Sequence, residues 1–290
     1  MRLSVVIPTI GRPELSRAVD SVLAQTVPVH EIIVAADTTD ELGLPADDRV
    51  RIIRVGPGAG GNAGRQSGVE QATGDVIGLL DDDDEWSPTK VSVLSELVAD
   101  ATGPWLATSR TRMKRADGTE LIQPSFPIAA GEDVRTYMFA KRTPRSGHGF
   151  IQASTLLFPR TLALEVPFDV DLKFHQDVSW LTSVAARHPD LRVFQAWEPL
   201  ASYYATEGSV SKRIAPQGSI AWARRFLSDD RRLLGDFVLT QSLGFARRTG
   251  SPAAMIRTLW AGVRLGRPGA AAVLYAVGAT VKYSLRRKNT

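Results

Sequence analysis

The 290-residue chain is 43% hydrophobic and 23% charged, enough apolar content to bury one large core or two modest ones. It has no cysteine, which excludes disulfides, zinc–thiolate centres and thiol catalysis and suits a reducing compartment. The net charge of +4 hides an asymmetry: residues 1–210 carry 20 Lys/Arg against 28 Asp/Glu, whereas residues 211–290 carry 15 against 3.

A modestly acidic body therefore ends in a strongly basic segment, able to meet a membrane surface, a nucleic acid or an anionic substrate. The first apolar run stops at Pro8, too short for a signal-peptide core. The longest uncharged apolar stretch, residues 269–281, falls short of the ~20 residues needed to span a bilayer. A soluble, cytoplasmic chain is expected.

In chain order, residues 3–7 read as a buried strand, and Thr9-Ile10-Gly11-Arg12-Pro13 as a turn with Pro13 placed to open a helix. Leu15, Ala18, Val19, Val22 and Leu23 repeat at three and four, one apolar helical face. Residues 31–35 form a second strand and residues 50–55 a third. A glycine-rich loop, residues 56–61, leads into a helix over 62–73, with Gly74 as its C′ residue. Residues 76–80 are a fourth strand, ending in Asp81-Asp82-Asp83-Asp84-Glu85-Trp86. Ser87-Pro88 reads as the cap and first turn of the next helix, with Val91, Leu94, Leu97 and Val98 at helical spacing. Strands alternating with helices in this way imply a doubly wound, mostly parallel sheet.

Beyond residue 100, residues 105–111 and 152–158 read as strands. Asp117-Gly118 is a hairpin turn between Met113 and Leu121. Residues 142–149 form a polar loop in which His148 is expected to be exposed. A helical pattern starts at Asp177. Residues 191–195 and 200–204 close the sheet, and from Ile214 onward the pattern is helical.

Five carboxylates at the carboxyl end of a buried strand repel one another, and a hard divalent cation is their natural partner. Ligands of open α/β sheets bind at such strand ends. The competing reading is a solvated acidic turn feeding charge to a helix N-terminus. The glycine loop offers a rival chemistry: Gly58-Ala59-Gly60-Gly61-Asn62-Ala63 matches G-x-G-x-x-A, with Asp81 some twenty residues on, as in a nicotinamide oxidoreductase. Its position on the third strand and the run of acids count against it. A non-catalytic nucleotide- or anion-binding relative is the other alternative.

The ordered series Val5-Val6-Ile7-Pro8-Thr9, Arg12-Pro13, Ser21-Val22-Leu23-Ala24-Gln25-Thr26, Glu31-Ile32-Ile33-Val34, Gly64-Arg65-Gln66-Ser67-Gly68, Ala72-Thr73-Gly74-Asp75 and Leu80-Asp81-Asp82-Asp83-Asp84-Glu85-Trp86 resembles the N-terminal half of a family 2 glycosyltransferase. The resemblance implies a GT-A-like, Rossmann-like nucleotide-binding half over residues 1–110, an acceptor-side half over 111–212, and a basic helical appendage over 213–290. It implies sugar transfer from a nucleotide-sugar donor, with Mn²⁺ or Mg²⁺ held by a D-x-D motif at Asp81-Asp82-Asp83. Asp83 and Asp81 would touch the metal, and Asp81 and Asp82 the donor. Pro8, Thr9 and Arg12 would line the nucleotide, and Arg65 would face base or phosphate. The family usually ends its second strand in two acids, the first reading uracil. Here that position is Ala36, leaving Asp37 beside it and the base open.

In Gln176-Asp177, the family's usual Glu-Asp pair keeps only its aspartate, so the resemblance makes Asp177 the catalytic base of an inverting displacement. The bland role for Asp177 is a helix cap. Ser202-Tyr203-Tyr204, with Gly208-Ser209 following, resembles the family's closing segment over the diphosphate. The implied acceptor is a polysaccharide, a lipid-linked glycan or a natural product. Two expectations stand for the basic segment, residues 213–290: peripheral contact with the inner membrane face, or a helical layer packed on the acidic face of the body; no nucleic acid is expected.

Overall fold

A computed structural model describes residues 1–145, 148–205 and 214–288, with the backbone alone at 205 and 284–288. The chain runs β1 (Leu3–Thr9), α1 (Leu15–Leu23), β2 (Glu31–Ala36), β3 (Val50–Arg54), α2 (Gly61–Gln71), β4 (Val76–Leu79), β5 (Glu85–Trp86) and α3 (Lys90–Leu97). It continues with β6 (Trp105–Arg115), β7 (Glu120–Gln123), α4 (Val134–Phe139), β8 (Leu157–Pro159), α5 (Arg160–Glu165), α6 (Gln176–Arg187) and β9 (Arg192–Ala205). Five more helices follow: α7 (Pro216–Phe226), α8 (Arg231–Phe237), α9 (Leu243–Arg248), α10 (Pro252–Leu265) and α11 (Ala270–Lys288), with a π-helical turn, Val238–Ser242, joining α8 to α9. Two compact units result, one from the described residues of Met1–Gly131 and Ile151–Ser209, the other from those of Glu132–Phe150 and Val210–Thr290.

In the first unit, β1 lies between β2 and β4 and is parallel to both, with β3 parallel to β2. The sheet order is β3-β2-β1-β4-β8-β6-β9-β5, with β7 on β6. Strand alternation sorts β1 between two layers. Leu3, Val5 and Ile7 join the core beneath Leu15, Val19, Val22 and Leu94, while Val6 and Pro8 face α2 across Gly68 and Gly64. A Cβ on Gly68 would fall 2.3 Å from Val6 Cγ1, so glycine is what lets α2 lie directly on the strand.

Four local expectations change. The α3 helix starts at Lys90 with Thr89 as its cap residue, because the Ser87 N–H still bonds the Leu200 carbonyl at 2.9 Å and extends the β5 pairing to β9. Gly74 is not a C′ residue: α2 stops at Gln71 and Ala72 is already extended. Gly74 instead abuts β1, its N–H bonding Ser4 Oγ at 2.9 Å. The strand expected over 152–158 begins as a 3₁₀ turn, Ala153–Thr155, before β8. The two closing strands are one, β9, with an irregular register opposite Ser109, Arg110 and Thr111.

In the second unit, Phe139, Trp222 and Phe237 pack with ring centroids 4.8–5.8 Å apart. Asp236, fully buried, accepts from the Lys141 N–H at 2.8 Å, the Gly269 N–H at 2.7 Å and Arg232 Nε at 3.1 Å, so its charge is matched where desolvation is costly. The helices start at sequence-legible caps: Asp230 for α8, and Ser251 with Pro252 for α10. Segment 132–150 groups with these helices, not with the sheet on either side of it in sequence. His148 is shielded there rather than exposed. Burial first, then the Lys141 ammonium, pulls its imidazole down to about 4.

Candidate active site

The carboxyl ends of β1, β2 and β4 and the first turn of α6 bring one cluster of polar side chains together. Parallel neighbours must end on the same edge, so residues 9, 37 and 81 follow strand ends that stand side by side. The α6 helix is fixed by Trp180, which lies between Phe158 and Phe168 at 4.4 and 4.8 Å and donates its indole N–H to the Val166 carbonyl at 2.7 Å. That anchor, one turn along, orients Asp177.

The acid run does not act as one patch. Asp81 faces Arg65, whose Nη2 donates to Oδ1 at 2.6 Å; the guanidinium is 7% exposed and the carboxylate 29%. Asp82 turns inward and accepts the Thr9 hydroxyl at 2.6 Å. Asp83 pairs with Arg12 Nη1 at 2.6 Å, and its carbonyl accepts from Arg17 at 2.8 Å. Asp84 is wholly buried and accepts Gln152 Nε2 and Ser154 Oγ, each at 2.6 Å. Glu85 pairs with Arg17 and accepts the Tyr204 hydroxyl at 2.7 Å. The five acids are thus spread over several partners, Arg12 serving both Asp83 and, at 3.3 Å, Asp82, which relieves repulsion that an exposed run would leave to solvent.

Burial remains the larger effect for three of them. It raises Asp82 to about 6 against the pull of Thr9 and Arg12. It raises Asp83, with Asp81 adding repulsion. It lifts Asp84 well above the carboxylate range, again helped by the Asp81 charge.

Arg65 is the hub. Besides Asp81 it donates from Nη1 to Gln176 Oε1 at 2.9 Å and to Asn62 Oδ1 at 3.2 Å. Gln176 therefore occupies the place of an acid as a neutral acceptor. Asp177 sits in the first turn of α6, behind the actual cap residue His175, whose φ is +53°. Its carboxylate accepts from the Ala153 N–H at 3.2 Å and the Val178 N–H at 2.9 Å. Burial raises its pKa, the Arg65 cation opposes this, and the Asp81 charge reinforces it. Both oxygens are thus held by backbone N–H groups, and burial makes the carboxylate a stronger proton acceptor than an ordinary aspartate.

Asp37 follows β2, but its two oxygens accept the Ala59 and Gly60 N–H groups at 2.8 and 2.7 Å. A dinucleotide loop needs its backbone donors for pyrophosphate; two of these are spent on Asp37, which removes the structural basis of the oxidoreductase reading. The Asp171 N–H bonds Asp169 Oδ1 at 3.1 Å, and the Asp169 carbonyl accepts from Asn62 Nδ2 at 2.7 Å.

Among the described residues no group of three or more His, Asp or Glu side chains is set to hold a metal. The donor set still fits Mg²⁺ or Mn²⁺, which commonly take one or two protein carboxylates and complete their shell with phosphate oxygens and water. Asp81 and Asp83 are hard oxygen donors close enough to repel each other. A divalent cation held by these carboxylates would relieve that repulsion.

Sequence reading missed Asn62, Arg17, Gln152 and Ser154. The polar Gln152, Ser154 and Thr155 inside an otherwise apolar segment were the available signal. Of the closing segment, Tyr204 is placed by Glu85, and Lys114 Nζ donates to its hydroxyl at 2.8 Å; residues 208–211 lie outside the described residues.

The family model described as glycosyl transferase family 2 matches residues 4–149, just over half the chain and including the β1, β2 and β4 ends. The chain belongs to glycosyltransferase family 2. The enzyme is 25% identical over 236 residues to the amylovoran biosynthesis glycosyltransferase AmsB of Erwinia amylovora, covering 76% of this chain and 75% of that one. It is 30% identical over 208 residues to the succinoglycan biosynthesis protein ExoO of Rhizobium meliloti, covering 68% and 58%. Among solved structures, S. aureus TarS 1–349 in complex with UDP-GlcNAc superposes with a TM-score of 0.58 at 16% identity, covering 92% of the glycosyltransferase and 74% of TarS. That likeness confirms the GT-A fold.

Proposed function

We propose that this glycosyltransferase moves a sugar from a nucleoside-diphosphate donor to an acceptor hydroxyl, with inversion, during assembly of a polysaccharide or related surface glycan. The polymer-forming relatives AmsB and ExoO support the product class, and the TarS complex with UDP-GlcNAc supports the donor class. The observation that carries the reading is the convergence of Asp177 with the Arg65–Asp81 pair beside the ends of β1, β2 and β4.

The roles follow from the chemistry of each group. Asp177 takes the proton of the acceptor hydroxyl as that oxygen bonds the anomeric carbon and the bond from that carbon to the diphosphate breaks. Arg65 is a buried two-nitrogen donor able to follow the departing diphosphate once released from Asp81. Thr9 and Arg12, with Pro8 before them, border the nucleotide, and Asp37 holds the 56–61 loop beside it. Asp82 fixes the acidic loop to β1 through Thr9. Mn²⁺ or Mg²⁺ would be held by Asp83 and Asp81 and would supply positive charge against the leaving diphosphate.

The test is a thermal-shift screen with UDP, GDP, dTDP and CMP, each with and without Mn²⁺, on the parent and on Asp83→Asn. Metal-dependent stabilisation by one nucleotide, lost in Asp83→Asn, is expected. Equal metal-dependent stabilisation in that variant would remove the D-x-D assignment.

A further inference from the structure

The second unit carries a surface to which the proposed donor and base chemistry gives no role. On α10, Met255, Thr258 and Gly262 are buried, while Ile256, Trp260 and Val263 are 59, 66 and 64% exposed. Those three stand at i, i+4 and i+7, one stripe along the helix. Exposed Arg257 and Arg264 follow beside that stripe. On α11, Ala272 and Ala276 are buried against Leu239 and Leu243, and Val273, Leu274, Val277 and Val281 point outward. Both helices thus keep large apolar side chains on the outward face, and on α11 the only buried side chains among the described residues are alanines, the reverse of what a solvated helix needs. Scattered exposed apolar residues need no explanation, but two periodic stripes do.

Charge identifies what covers them. After Asp236 the sequence has no acidic residue and nine Lys or Arg. Arg247, Arg248 and Lys282, with Gly244 and Tyr283, line an open cavity of about 380 Å³. Arg247 Nε is buried there without a hydrogen-bond partner, and Lys282 directly follows the exposed Val281. No helix among the described residues is long and apolar enough to cross a membrane. Apolar stripes edged by cations on helices that cannot span are the features of an element lying in the headgroup layer.

We infer that α10 and α11 dock this enzyme on an anionic lipid bilayer, the stripes of Ile256, Trp260 and Val263 and of Val273, Val277 and Val281 entering the interface and the Arg247–Arg248–Lys282 cavity taking a lipid phosphate. The inference is independent of the donor and base assignments, since its readout is lipid binding rather than transfer. The full chain is sedimented with vesicles of phosphatidylcholine alone and with equimolar phosphatidylcholine and phosphatidylglycerol, at low and high salt, with and without inorganic phosphate. Binding is expected only to the anionic vesicles, weakening steeply with salt and surviving inorganic phosphate at constant ionic strength.

Trp260→Glu and, separately, Arg247→Glu with Lys282→Glu are expected to weaken binding by about five-fold or more per changed residue, with circular dichroism and melting unchanged. Equal binding to both vesicle types, parental lipid binding by Trp260→Glu, or displacement by inorganic phosphate alone would overturn the inference. So would a concentration-dependent dimer of the parent that Trp260→Glu dissolves, since the stripes would then belong to a second copy.

Discussion

Two regions handle charge in opposite ways, the acidic loop of the first unit and the last helices of the second. In the first, the acids after β4 are drawn inward and each is matched to a named donor: Arg65, Thr9, Arg12, Gln152 with Ser154, and Arg17. In the second, every charge after Asp236 is positive, and the described cations of α10 stand in the open. Buried charge must be compensated where it sits, so each of these acids is tied to a particular donor. Exposed charge is cheap and screened, so the exposed cations of α10 constrain their surroundings far less. The lesson concerns mutability: a substitution among the paired acids after β4 should cost much, and one at the exposed cations of α10 little.

The sharpest way to break this comparison is Asp177→Asn, which keeps size and most capping ability while removing a proton acceptor. Transfer should fall by roughly 10²–10⁴-fold with nucleotide binding retained, measured by product formation and by nucleotide-induced melting shifts. Transfer within a few-fold of the parent would make Asp177 only a structural group.

Next in size is Arg65→Ala, which removes the guanidinium that Asp81, Gln176 and Asn62 share. Because Arg65 is nearly inaccessible and Asp81 partly exposed, the loss should be about 2–4 kcal/mol of unfolding free energy, read by denaturant titration. A loss below about 0.5 kcal/mol would place the pair with surface ion pairs.

Lys90 tests the comparison through pH. It is fully buried, donates to the Thr155 carbonyl at 2.9 Å and lies 5.0 Å from the Trp86 ring centroid. Burial lowers its pKa from 10.5 to about 7. Between those values the unfolded chain binds the extra proton, so the Lys90 contribution to stability rises as pH climbs from about 7 towards 10.5. The parent should therefore gain on the order of 1–3 kcal/mol relative to Lys90→Met across that window, followed by melting at several pH values. Parallel pH curves would show that Lys90 keeps its charge throughout.

The smallest expected effect is the mirror of these. Trp260→Ser on the exposed stripe should change unfolding free energy by no more than about 0.5 kcal/mol. A loss of 2 kcal/mol or more would mean the stripe is packed, and the contrast between the units would fail there.

Much of the first unit was legible beforehand because its signals are local. The apolar runs of β1, β2 and β4, the helical spacing of Leu15, Ala18, Val19 and Val22, and the Asp117-Gly118 turn each depend on neighbours in sequence. So did the position of the acidic loop at a strand end. The ordered motifs pointed to the family that the comparison with known proteins then showed. What the sequence could not contain is partner choice over long separations. Asp84 finds Gln152 and Ser154 some seventy residues on, Arg65 finds Gln176 across 111, and Asp37 closes on the glycine loop.

Composition alone determined that the C-terminal segment is basic and helical, since charge and period-3.6 patterning are properties of the chain itself. Only the tertiary structure decided which of its apolar residues face outward, because Met255 and Ile256, or Ala272 and Val273, differ in burial through what the Leu239–Leu243 turn covers. It also decided that segment 132–150 joins those helices. Burial is a property of the packed whole, and no window of sequence carries it.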